Sequence, residues 1–178
     1  MKNKMLYKVC ISGIFATIIC VLSFVNFPIG AVPVTLATLG IMIAGVVLSP
    51  LEAVMATVTY VLIGLIGIPV FSGVSGGIGV LLGPTGGYIW SYPVFALVIS
   101  LSNLIRSKTK TLEIVVLFVL CLLGTAFCYF LGVAQYINVC DTNFYTAFVT
   151  CVVPFIPIDI IKITAAVFIG KKIKDKII

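Results

Sequence analysis

The amino-acid sequence is expected to fold as an all-α integral membrane protein with six transmembrane helices, both termini on the cytoplasmic side, and Gly/Pro-rich outer loops. Three observations carry that expectation. Of 178 residues, 62% are hydrophobic and only 9% charged, against about 25% charged in a soluble domain. Too little polar chemistry is left to cover a water-facing surface. A spanning helix takes about 20 apolar residues, so a chain of this length holds about six with short connections. Residues 1–178 therefore read as a single six-helix membrane domain without a soluble partner domain. Finally, the basic residues are clustered. With the N-terminus inside, Lys2, Lys4 and Lys8, then Arg106, Lys108 and Lys110, then Lys171, Lys172, Lys174 and Lys176 share one side, ten of eleven in all. That is the positive-inside bias of a multi-pass protein of the cell membrane. The net charge of +6 is thus a topology signal, and no aromatic-interleaved basic stretch suggests nucleic acid. The lipid bilayer is the surrounding partner.

The elements follow in order. Tyr7 to Val25 is the first span. The lysines before it resemble a signal peptide, but no small-x-small cleavage site follows, so the span is expected to be retained. Asn26 to Pro33, with two prolines and a glycine, is a loop. Thr35 to Leu48 is a short second span, closed by Ser49-Pro50. Glu52 then suits the first turn of the third, Leu51 to Gly67. Ile68 to Gly87 is Gly-rich; helix resumes near Gly86 and runs to Ile105. After the polar break at 106–110, Leu112 to Ile137 is the fifth span and Asn138 to Asn143 a polar loop. The last stretch, Phe144 to Gly170, is interrupted by Pro154 and Pro157.

Several chemistries are excluded. Six cysteines are present without a C-x-x-C pair, and there is no histidine, which argues against a metal site or catalytic Cys–His pair. Gly77, Gly79 and Gly83 do not have dinucleotide-fingerprint spacing, and no Gly-Lys-Ser/Thr follows, so the Gly-rich segment is not a P-loop. It reads instead as packed, non-helical backbone over a cavity, tolerated at membrane depth where protein or water satisfies it. Thr85 is placed to cap the helix from Gly86. Tyr88 and Trp90 suit the outer interface, and Tyr88 equally suits a pocket wall.

Lys162 is the eleventh basic residue. It lies nine residues before Lys171, roughly 13 Å inside the boundary at 1.5 Å per residue. Asp159 precedes it by one helical turn on the same face, just after Pro157. A charge at such depth costs about 2.5–3.5 kcal/mol, which makes an intramembrane ionisable pair a functional candidate. The alternative is a structural pair that neutralises itself. An adjacent acceptor and donor match a ureido or amide-like ligand, with N–H donors beside a C=O acceptor. On the first helix, Ser12 with Ala16, and Gly13 with Thr17, have the small-x-x-x-small spacing that lets helices approach closely.

Three strings resemble the BioY family, the biotin-binding S components of energy-coupling-factor (ECF) transporters. They are Ala31-Val32-Pro33-Val34-Thr35-Leu36 with Thr38; Gly79 to Leu82 with Gly83-Pro84-Thr85-Gly86-Gly87-Tyr88; and Pro154-Phe155-Ile156-Pro157-Ile158-Asp159-Ile160-Ile161-Lys162. The resemblance implies six helices and an outer substrate pocket in which Asp159 and Lys162 contact the ureido head of biotin. Thr35, Thr85, Gly87 and Tyr88, within the matching strings, are expected to bind substrate with them. It further implies a transmembrane scaffold subunit (EcfT), contacted through Ser12 and Ala16, and two cytosolic ATPase subunits. No cofactor is implied; biotin is the transported ligand. The chain departs from the family at Ala37, often Gln there, and at Ser12, usually Ala. The alternatives are an S component for another vitamin and a stand-alone small-solute facilitator. An enzyme using Asp159 as base lacks a nucleophile–base pair.

Overall fold

The computed structural model describes residues 2–27, 32–105 and 109–177. The loop positions 28–31 and the first residues of the polar break, 106–108, lie outside the described residues. Eight α-helices are present among the described residues: α1 (Lys2–Ser23), α2 (Ala37–Val47), α3 (Pro50–Leu65), α4 (Ile78–Leu82), α5 (Gly86–Ser100), α6 (Lys110–Cys140), α7 (Phe144–Cys151) and α8 (Ile156–Ile177). A 3₁₀ turn, Leu101–Leu104, extends α5. Two strands absent from the sequence-based expectation, β1 (Asn26–Phe27) and β2 (Val34–Thr35), form an antiparallel pair. Val34, β-branched and fully buried, anchors β2.

Met5–Ser23, Gly86–Leu104 and Lys110–Cys140 are long and apolar enough to cross a bilayer, and Phe144–Cys151 with Ile156–Lys176 forms a further pair bent by 48°. The bend lies at Val152–Phe155, where Pro154 interrupts the ladder. The expected second and third spans are shorter than a full crossing. α2 has 11 residues and α3 has 16, or roughly 16 and 24 Å at 1.5 Å per residue. Ser49-Pro50 separates them, and the Ser49 N–H donates to Glu52 Oε2 at 3.0 Å, so α3 starts with the acid in its first turn. α2 is buried on nearly every side by α1, α5 and α8. The expected fifth span, α6, is longer than expected at both ends. Thr109 Oγ1 accepts from Leu112 N–H at its start, and helix persists through Asn138 to Cys140, so the polar loop begins at Asp141.

The ends of the helices are tied by side chains. Asn103 Nδ2 donates to the carbonyl of Leu48 at 2.7 Å, beyond the end of α2. Lys174 Nζ donates to Asn103 Oδ1 at 2.5 Å, and Lys171 Nζ lies 2.9 Å from Glu113 Oε2 in the first turn of α6. The start of α6 and the end of α8 therefore share one end of the bundle. The first turn of α8 and the Gly-rich segment after α3 lie toward the other. Large apolar side chains such as Ile14, Val21, Leu123, Phe130 and Phe168 are exposed on the outside, as a lipid-facing surface requires.

Candidate functional site

The Gly-rich segment is irregular, as expected, except for α4. Its backbone is satisfied by side chains from its neighbours. Gln135 Nε2 donates to the carbonyls of Leu81 and Gly83, each at 2.8 Å, and Trp90 Nε1 donates to Leu81 at 3.2 Å. Tyr60 Oη and Ser23 Oγ both donate to the carbonyl of Val70. These bonds make irregular backbone tenable within the apolar bundle.

Beneath this cap is a cavity of about 710 Å³, counting its open mouth. Its walls are aromatic: Tyr60 from α3, Phe71 from the cap, Tyr88, Tyr92 and Phe95 from α5, and Phe155 from the bend. Tyr60 meets Phe71 edge-on at 5.6 Å between ring centroids, and Tyr88 stacks on Phe155 at 6.4 Å. Tyr88 Oη donates to the carbonyl of Cys151 at 2.8 Å, so it faces protein rather than the outer interface and braces the end of α7.

One part of the wall is charged. Asp159 lies in the first turn of α8, where the unpaired helical N–H groups favour a carboxylate. Lys162, a turn later, places Nζ 2.9 Å from Asp159 Oδ1. Both residues are about 95% buried, with relative exposures of 6% and 5%. Tyr129 Oη on α6 donates to Asp159 Oδ2 at 2.6 Å, and Lys162 Nζ donates to Thr38 Oγ1 on α2 at 3.0 Å. Three helices thus hold one charged cluster, and these bonds offset part of the cost of burying it. Apart from the ammonium at 2.9 Å, Oδ1 has no hydrogen-bond partner among the described residues. That oxygen keeps acceptor capacity for a ligand N–H.

Of the expected substrate-binding residues, Thr35, Thr85, Tyr88, Asp159 and Lys162 all line this cavity. Gly87 does not. It packs against α6, where an added Cβ would overlap the carbonyl oxygen of Leu131, so the absence of a side chain lets the two helices approach closely. Thr85 is at the N-cap position of α5 but makes no side-chain cap bond. Ser12 and Ala16, the pair expected at a subunit contact, lie on α1. Both are buried within the chain, and Ser12 Oγ donates to the carbonyl of Glu52 on α3 at 3.1 Å. Gly13 and Thr17 are the exposed pair. Sequence reasoning missed Tyr129 and Thr38 as members of the cluster. The available signal for Tyr129 was a phenol in the middle of a long apolar helix, away from the interfaces that tyrosine favours.

An apolar, aromatic chamber with a buried ion pair, enclosed by apolar helices, defines a membrane protein built to bind a small polar-headed molecule. The chain belongs to the BioY family, whose sequence profile matches residues 1–177. It is 34% identical over 170 residues to a probable biotin transporter BioY of Pyrococcus horikoshii, covering 94% of this chain and 96% of the other. A biotin transporter BioY of Thermotoga maritima is 34% identical over 168 residues, covering 92% and 93%. Among solved structures, the crystal structure of the S-component for biotin from an ECF-type ABC transporter superposes with a TM-score of 0.86 at 28% identity. The match covers 98% of this chain and 94% of that one.

Proposed function

We propose that this protein is the biotin-binding membrane subunit of an ECF-type importer, with Asp159 and Lys162 reading the ureido head. The observation that carries the reading is the buried acceptor–donor pair in a chamber with aromatic walls. A ureido group offers two N–H donors to Asp159 and a carbonyl to Lys162, and in a dry site such charge-assisted bonds are strong. Tyr129 and Thr38 hold the two side chains, and Thr35, Thr85 and Tyr88 complete the wall. Energy for import comes from a transmembrane scaffold subunit and two cytosolic ATPases, in keeping with the lack of a P-loop in this sequence.

The test is binding without nucleotide. Purified protein in detergent should retain labelled biotin with ATP and magnesium omitted. Biotin at about 1,000 times its dissociation constant should stabilise the fold by about 4 kcal/mol. Tight binding of thiamine or riboflavin, with none of biotin, would replace this reading with that of an S component for another vitamin.

In the bilayer, residues 1–178 form a single domain of six membrane segments, two of them the short helices α2 and α3, with both termini cytoplasmic. Support comes from Lys110, Lys171 and Lys174, which gather at the end of the bundle away from Asp159. In a cysteine-free background, a cysteine introduced at Asn143 should react with an impermeant maleimide applied to intact cells. Cysteines at Lys110 and Lys176 should react only after lysis. Labelling of Lys110→Cys from outside would overturn this orientation.

A further inference from the structure

We propose that the Ser72 hydroxyl, on the cap over the cavity, is the hydrogen-bond donor for the ligand's acid end. The inference rests on the biotin reading above and concerns the end of the molecule that the ion pair does not hold. Biotin carries a carboxylate at the tip of an alkyl chain, remote from its ureido ring. A second cation would be the obvious partner, but Lys162 is the sole Lys or Arg among the described residues lining the cavity. Its three ammonium donors are taken up by Asp159, Thr38 and, in that reading, the ureido carbonyl at the other end of the ligand.

Several hydroxyl protons around the chamber are committed as well. Tyr60 donates to Val70, Tyr88 to Cys151, Thr125 to Cys121 and Tyr129 to Asp159. Ser72 lines the cavity, and its Oγ is buried without a hydrogen bond among the described residues. A buried hydroxyl without a partner is destabilising, so such a group in a native fold calls for an explanation. A ligand acceptor in the chamber supplies one.

The turn that carries Ser72 is held independently of this hydroxyl. Phe71 N–H donates to the Ser75 carbonyl at 2.8 Å, Ser75 Oγ donates to the Ser72 carbonyl at 2.6 Å, and Gly73 takes the left-handed φ of 72° that closes the turn. The Phe71 ring, fully buried against Tyr60, pins the turn to α3. Ser72 Oγ is therefore positioned in advance and its proton is free. A neutral donor reads an acceptor oxygen rather than a negative charge. The site should accordingly accept the primary amide of biotin as well as the acid, and discriminate against a chain ending in methyl.

The test crosses one substitution with three ligands, using the full-length protein in detergent. Ser72→Ala removes no bond among the described residues and relieves an unpartnered buried hydroxyl, so the ligand-free melting temperature should be unchanged or higher. Its dissociation constants for biotin and for biotin amide should each rise about tenfold. For the analogue with methyl in place of the carboxyl group, wild type and variant should bind alike. Unchanged biotin affinity in Ser72→Ala would overturn the assignment. An equal loss for all three ligands would also overturn it, because the serine would then act on the shape of the cap. Failure of the wild type to bind biotin at all would instead show that the underlying reading is wrong.

Discussion

Asp159→Asn and Lys162→Met are each expected to weaken biotin binding by roughly 30- to several-thousand-fold, the effect of about 2–5 kcal/mol for losing one partner of a buried charged hydrogen bond. Asp159→Asn keeps the shape but puts an amide N–H where an acceptor is needed, and leaves Lys162 without its counter-charge at 2.9 Å. Lys162→Met strands the carboxylate and removes the donor to Thr38. Equilibrium binding of labelled biotin measures both. A structural pair would behave differently: yield or melting temperature would fall, and the surviving protein would bind normally. The double substitution Asp159→Leu with Lys162→Met separates these cases further. Replacing both members of a buried pair by apolar groups is often neutral for stability. The double variant should fold and bind little or no biotin. Native affinity in that protein would remove both residues from the site.

Gly87→Ala is expected to damage the protein through stability rather than ligand contact. The new Cβ meets the carbonyl oxygen of Leu131, a backbone atom that cannot swing aside. Parting α5 from α6 at that point costs about 1–3 kcal/mol. That corresponds to a fall of about 3 to 10 °C in melting temperature. Gly13→Ala is the control, since nothing lies within 4 Å of its added Cβ. On helix propensity alone that variant should be unchanged or slightly stabilised. If Gly87 contacted biotin directly, Gly87→Ala would lower affinity while the melting temperature held. That result would place Gly87 in the binding site.

The membrane character, the order of apolar segments and the Asp159–Lys162 pair were all legible in the sequence. Each follows from one-dimensional information. Apolar run length reports on the bilayer, and clustered lysines report on which side a loop lies. A charge spaced one helical turn from its opposite, deep in an apolar run, identifies itself by its cost. The Pro157 signal also placed Asp159 in a first helical turn, as found.

Other features depend on which helix faces which. Ser12 and Ala16 carry a helix-approach spacing, but the spacing does not say which helix is approached; the fold places Ser12 against α3 and buries Ala16 within the chain. Gly87 sits in a string beside true cavity residues, yet a helix turns about 100° per residue, so it faces Leu131 while Tyr88 faces the chamber. Tyr129 and Thr38 lie 30 and 124 positions from the charges they hold. Local periodicity is blind to such separations. The sequence thus settled that this chain lives in lipid and carries a costly buried pair, because the cost of leaving water is set residue by residue. The chamber around that pair was settled by packing, because hydrogen bonds and close contacts belong to pairs of residues that only the folded chain brings together.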